Sequence, residues 1–203
     1  MGPSVGDMKP EESKPAWKNY PWKDSRERIL VGATVAFSRK GFYGTSVREI
    51  SYEAGLEQPS IYHHFGNKEK LYWASLRATH LYMIRNLRRQ IRDKDTLLGE
   101  IRDMFRAVSW FHKEYPEFFS LLFSLVYSSP PTIADQYTSL YGGDIFSFVD
   151  QAFRRNPPKT GRLEKYSLTV HTLYAYILSF SGTRPANLHI SYYQALRRVF
   201  KAL

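Results

Sequence analysis

The sequence predicts an all-α protein of about nine helices, a compact three-helix unit near the amino terminus followed by a larger helical domain. Three observations carry that prediction. Apolar residues recur at three- and four-residue intervals through most of the chain. Gly, Pro, Asn and Ser punctuate those runs at positions that start or stop helices. No stretch shows convincing strand alternation, and there is no internal repeat or low-complexity tract. The 203 residues give ample length for a core, and no apolar run approaches the roughly 20 residues needed to cross a bilayer. Met1 to Trp22 is polar and Pro-containing, without the apolar centre of a secretory signal. Residues 1–23 therefore read as a flexible arm, residues 24–67 as the three-helix unit and residues 68–203 as the larger domain. With no cysteine there is no disulfide framework and no thiol chemistry.

Ile29, Leu30, Ala33, Ala36 and Phe37 place a first amphipathic helix over about Asp24 to Lys40. Gly41 and Gly44 bracket the turn after it. Ser46 and Glu49 form a capping box that starts a second helix, with Val47, Ile50 and Ala54 as its apolar stripe. Gly55 ends that helix, because a left-handed backbone costs glycine no Cβ clash. Pro59 starts a third helix after about three linking residues, anchored by Ile61 and Phe65. Asn67 caps a fourth of six turns or more, whose expected stripe is Leu71, Ala74, Ala78, Leu81, Ile84, Leu87 and Ile91. Leu97, Ile101, Met104, Phe105, Val108 and Phe111 mark the fifth. Pro116 opens a sixth, so apolar from Phe118 to Val126 that it is expected to be buried all round. A seventh runs from Ile133 through Leu140 to Phe153, with Gly142-Gly143 allowing a kink in its middle. Asn156 to Gly161 is a loop, an eighth helix covers about Tyr166 to Phe180, and Gly182 to Pro185 breaks the chain before a last helix from Ile190 to Leu203.

Two short helices around a tight turn, residues 45–65, are the smallest device that sets a helix into the major groove of DNA. Gln58, Pro59, Ser60, Tyr62, His63 and His64 are left to project outward from the third helix. Arginine offers a fork to guanine and glutamine pairs with adenine, so Arg48 and Gln58 have the chemistry of base readers. Pro59 and Ser60 are short enough to bring the backbone close to thymine methyl groups. Tyr62, His63 and Lys68 suit phosphates, Lys68 at a helix amino terminus, and the hydroxyls of Thr45 and Ser46 can add backbone contacts. Ser46 is also simply a helix cap, and Arg48 can instead pair with Glu49, Glu53 or Asp24. Adjacent helical residues point about 100° apart and no third ligand lies near, so His63-His64 is not read as a metal site. No metal or cofactor is expected.

The net charge of +10 suits a polyanionic partner. Its distribution tempers that, at +2 through Lys68, +5 over residues 69–113 and +3 beyond. Arg77, Arg85, Arg88, Arg89 and Arg92 read as the solvated outer face of the fourth helix.

The run Phe37-Ser38-Arg39-Lys40-Gly41-Phe42, then Thr45-Ser46-Val47-Arg48-Glu49-Ile50, Ala54-Gly55, and Ile61-Tyr62-His63-His64-Phe65-Gly66-Asn67-Lys68-Glu69-Lys70-Leu71 closely resembles the tetracycline-repressor (TetR) family of bacterial transcriptional regulators. The resemblance covers roughly residues 25–75. Ser51 departs from it, standing where the family more often has alanine. The resemblance implies a cytoplasmic, nucleoid-associated regulator, most simply a repressor. It would bind a palindromic double-stranded operator as a homodimer and be released by a small molecule held in the carboxyl-terminal domain. It also implies a dimer interface made by the last two helices. Glu57-Gln58-Pro59 matches the start of the founding repressor's recognition helix, which again assigns Arg48 and Gln58 to base reading.

The larger domain is rich in aromatic residues. Trp110, Phe123, Tyr127, Tyr137, Tyr141 and Tyr174 are candidates to line a cavity for an apolar or planar effector, with His112, His171 and Gln136 as its polar groups. Each aromatic residue taken singly is also ordinary core filling. Neither a nucleophile elbow, a phosphate loop, an HExxH helix nor a usefully spaced carboxylate pair is present, so an enzyme is not expected. The alternative is a ligand-independent or architectural DNA binder, which a solid core without a cavity would favour.

Overall fold

The computed structural model describes residues 24–91, 96–178, 194–198 and 200. Over these residues the chain forms α1 (Ser25–Gly44), α2 (Val47–Ala54), α3 (Gln58–Phe65), α4 (Lys68–Gln90), α5 (Leu97–Glu114), α6 (Pro116–Ser128), α7 (Pro131–Tyr141), α8 (Ser147–Arg155) and α9 (Arg162–Leu178). No strand occurs among them. The amino-terminal arm, Arg92, the Gly182–Pro185 break and most of the expected last helix lie outside the described residues.

The helix ends follow their local chemistry. Asp24 caps α1 by accepting the Glu27 N–H at 2.8 Å. Ser46 and Glu49 complete the reciprocal capping box on α2, and Asn67 and Thr96 accept the third N–H of α4 and α5. Each such cap contributes about 1 kcal/mol. Gly55 ends α2 at φ 61°, ψ 39°, and the Arg28 guanidinium donates to the Ala54 and Gly55 carbonyls at 3.0 and 2.9 Å. Carbonyls that a helix end leaves unpaired are thus satisfied from α1. Gly41 (φ 67°, ψ −175°) breaks α1 at the expected place. The bend folds Phe42 back over Phe37 and Tyr72, ring centroids 6.3 and 5.2 Å away.

Two hydrophobic clusters organise the molecule. Ile29, Phe37, Ile50, Ile61, Leu71 and Tyr72 form the centre of the first, which joins α1, α2, α3 and the start of α4. Each such side chain contributes roughly 1.5–3 kcal/mol relative to exposure. Met104, Phe105, Phe111, Val149, Phe153 and Tyr176 centre the second, among the later part of α4, α5, α8 and α9. The two share α4, which at 1.5 Å per residue is roughly 34 Å long, and α6.

Three expectations are corrected. The buried face of α4 runs through Leu71, Tyr72, Ser75, Leu76, Thr79, His80, Met83, Ile84 and Leu87, so Leu71, Ile84 and Leu87 of the expected stripe are buried, whereas Ala78 and Leu81 are exposed. The cause is a set of polar residues turned inward: Ser75, for example, donates to the Leu71 carbonyl at 2.9 Å and so needs no water. Helix α6 is not buried all round, since only Phe119 and Leu121 are buried among its described side chains. It is a thin plank laid along α1, with Leu121 in the first cluster and Phe119 in the second. Finally, the expected seventh helix is two helices. Gly142-Gly143 opens a turn through Phe146 rather than a kink, and α8 begins at Ser147. Ser147 closes that turn by donating to the Asp144 carbonyl at 2.6 Å.

Candidate functional site

Helix α3 has one face in the first cluster and the other in solvent. Ile61 and Phe65 are buried, 1% and 8% exposed, while Gln58, Pro59, Tyr62, His63 and His64 are exposed and Ser60 is half-buried. Gln58 and Pro59 occupy the first turn, where backbone N–H groups also point outward. The His63 and His64 rings meet edge-on at 5.4 Å. Among the described residues no three His, Cys, Asp or Glu side chains converge on a point where a metal could sit. On α2, Ser46 and Arg48 are exposed. Glu49 is committed to the cap and to Lys40, with which it forms an ion pair. The Lys40 hydrogen bond, and then the Ser46 N–H and hydroxyl, hold the Glu49 carboxyl down at about 2. Glu53 is taken by Arg39 at 2.6 Å. Both acids already hold a cation of α1.

Two residues expected to touch the DNA backbone face inward instead. The Thr45 hydroxyl is buried and donates to the Gly41 carbonyl at 2.7 Å, with the Ala36 carbonyl at 3.2 Å. It closes the broken end of α1 and is not available to a phosphate. Lys68 is half-buried: its Nζ donates to the Thr45 carbonyl at 2.9 Å and lies 4.3 Å from the centre of the Phe42 ring. A charge placed to satisfy a carbonyl and an aromatic face braces the α1–α2 corner. Both residues sit beside the cap of α2, with their polar groups turned to backbone carbonyls.

Between α4, α5, α6, α7 and α9 lies a cavity of about 210 Å³. Phe111, Phe119, Leu122, Phe123, Tyr137, Tyr141, Phe146 and Tyr174 supply much of its wall. Phe123, Tyr137, Tyr141 and Tyr174 are therefore brought together on one wall. Trp110, His112 and His171 are not on the wall. Val108 and Phe111 present α5 to the cavity, which turns Trp110 toward Tyr115, ring centroids 5.8 Å apart, and sets His112 behind Phe119 at 5.0 Å. Burial lowers the His112 pKa. His171 is exposed, its ring nitrogen bonded to the Ser167 carbonyl one turn back. Gln136 is also exposed, and the Tyr127 side chain lies outside the described set.

The polar corner of this cavity comes from a residue not anticipated. His80, 2% exposed, sits on the inner face of α4 with Nδ1 2.7 Å from the Tyr137 hydroxyl and Nε2 2.8 Å from Asp144 Oδ2. Its ring also lies 4.6 Å from that of Tyr141. The signal was its spacing, four residues after Leu76 and three before Met83, which is visible only once the true buried face of α4 is known.

A buried-backed helix presenting polar side chains beside a capped partner helix, joined to an all-helical body with a cavity, defines a helix-turn-helix protein with a separate helical domain. Residues 29–74 match the sequence profile of bacterial regulatory proteins of the tetR family. IcaR of Staphylococcus epidermidis, a negative transcriptional regulator of a biofilm operon, is 30% identical over 83 residues, 41% of this chain and 45% of IcaR. The transcriptional regulator RutR of Escherichia coli O157:H7 is 28% identical over 126 residues, 62% of this chain and 57% of RutR. The chain thus matches less than two thirds of the length of these relatives. In fold, a TetR-like transcriptional regulator from Rhodococcus sp. RHA1 superposes over 90% of this chain and 98% of its own, with a TM-score of 0.72 at 15% identity. FadR from Bacillus subtilis, solved in complex with stearoyl-CoA, superposes over 83% of this chain and 96% of its own, with a TM-score of 0.62 at 13% identity. Residues 29–74 thus carry the helix-turn-helix segment of the tetR family, and the described chain as a whole shares the fold of solved TetR-like regulators.

Proposed function

We propose that this protein is a ligand-responsive transcriptional regulator, acting as a repressor that binds a palindromic operator as a homodimer and leaves it when a small molecule occupies the cavity. The observation that carries the reading is the outward row Gln58, Pro59, Tyr62 and His63 on a helix whose back is locked by Ile61 and Phe65. A rigid helix with exposed donors and acceptors in its first turn reads base edges in a major groove. Arg48 and Gln58 are assigned to bases, Ser46, Tyr62 and His63 to phosphates, and Pro59 and Ser60 to close backbone and methyl contacts. Repression needs only occupancy of a promoter.

The cavity supports the responsive part of the reading over a ligand-independent binder, because the core between α5 and α9 is not solid. Its wall includes α4 and α6, the two helices that also enter the first cluster. A guest that shifts either helix displaces the reading head with it. The dimer interface is assigned to α9 and the segment after it. Leu163 stands exposed on α9, 76%.

Selection of bound DNA from a random pool tests the proposal. The wild type should enrich an inverted repeat. Gln58→Ala should lose about 1–3 kcal/mol of discrimination at one base step in each half-site, roughly 5- to 150-fold. Unchanged sequence preference in that variant would refute the role of Gln58, and the absence of any enriched motif would refute the regulator.

A further inference from the structure

Asp144, His80 and Tyr137 form one hydrogen-bonded chain that runs from the α7–α8 turn through α4 to the cavity wall. Its polarity is fixed at one end. A carboxylate only accepts, so the His80 Nε2–H donates to Asp144 Oδ2. With a neutral imidazole, that tautomer leaves a lone pair on Nδ1, which accepts the Tyr137 O–H. In that arrangement the Tyr137 proton is spent on His80, and a lone pair of its oxygen is left as an acceptor on a residue that lines the cavity. Burial, then the charge of Asp144, raises the Tyr137 pKa above the ordinary tyrosine range, which keeps the hydroxyl protonated for this role.

Two further facts bound the guest. A cavity of about 210 Å³ exceeds the roughly 150 Å³ that holds benzene, so it fits a substituted single ring or a short chain. The described lining side chains include no lysine or arginine, and Asp144 is not among them. Among the described lining side chains there is thus no lysine or arginine to pair with an anion and no carboxylate to pair with an ammonium.

We propose that the cavity selects a small, uncharged, ring-bearing molecule with a hydrogen-bond donor, a phenolic or alcoholic hydroxyl or an N–H, which it gives to the Tyr137 oxygen at the end of the Asp144–His80–Tyr137 chain. This rests on the reading of the cavity as the effector site. The guest's donor completes the valence of the chain without breaking it, so α4 remains tied to α7 while the ring presses on Phe119 and Phe123 of α6.

Calorimetric titration of the full chain with 4-ethylphenol, 4-ethylanisole, ethylbenzene and 4-ethylbenzoate tests it. 4-Ethylanisole accepts but cannot donate. 4-Ethylphenol should bind about five- to tenfold more tightly than 4-ethylanisole or ethylbenzene, the value of one net hydrogen bond. The benzoate should bind more weakly than all three. Tyr137→Phe should keep the anisole affinity and bring the phenol down to it. Phe123→Trp, which fills the cavity, should weaken all the probes together. Anisole binding as tightly as phenol, or a phenol preference that survives Tyr137→Phe, overturns the donor rule while leaving the effector cavity intact. Failure of every neutral probe to bind, or binding unaffected by Phe123→Trp, overturns both the rule and the cavity reading beneath it.

Discussion

Gly41→Ala tests how the reading head is held to the body. A Cβ at Gly41 would lie 1.9 Å from Ser128 Oγ and 2.6 Å from Ser128 Cβ at the end of α6. The backbone there, φ 67° with ψ −175°, belongs to a region that is nearly exclusive to glycine. Two separate costs follow. Backbone strain at such an angle is about 1–3 kcal/mol, and forcing atoms into an occupied space adds about 1–3 kcal/mol. Gly41→Ala should therefore destabilise by about 2–6 kcal/mol, a large share of the 5–15 kcal/mol typical of a folded protein. The two parts separate in a double-mutant cycle with Ser128→Gly, which removes both clashing atoms and leaves the backbone angle unrelieved. Urea denaturation of the four proteins, followed by far-ultraviolet circular dichroism, should give a favourable coupling of about 1–3 kcal/mol. A coupling within about 0.5 kcal/mol of zero would refute the contact between the broken end of α1 and the end of α6. A wild-type-like stability of Gly41→Ala alone would refute the left-handed angle as well.

Lys68→Ala should cost about 1–3 kcal/mol of stability, because it leaves the Thr45 carbonyl without its charged donor. The salt dependence of DNA binding should stay the same, and a slope lowered by about one with an unchanged melting temperature would return Lys68 to a phosphate. For Glu49 the native carboxyl titrates near 2 against an ordinary 4.5, held down first by the Lys40 hydrogen bond. A depressed acid contributes stability above pH 4.5 that is lost as the pH falls toward 2. Carboxyl NMR should show the depressed midpoint in the wild type and a higher one in Lys40→Ala, and a native midpoint already near 4.5 would contradict the pairing.

Much of the reading head was legible in the order of residues because its signals are local. A capping box, a glycine stop and a proline restart each act within four residues, so Ser46, Gly55 and Pro59 announce their roles without a tertiary partner. Exposure along α3 follows equally from Ile61 and Phe65 at helical spacing. Orientation at the corners does not follow. Thr45 and Lys68 carry groups that suit a phosphate, and only the carbonyls of Ala36, Gly41 and Thr45 show where those groups are used.

The larger domain shows the same division more sharply. Composition and periodicity determined that it is helical and rich in aromatic residues, since those properties depend on neighbours along one helix. They did not determine which face of α4 is inward, because polar side chains satisfied within the helix look exposed in a sequence. His80 is the consequence: it meets Tyr137 and Asp144 across 57 and 64 residues of chain. Packing of α4 against α7 brought those groups together, and no pattern confined to a few turns encodes a contact at that separation.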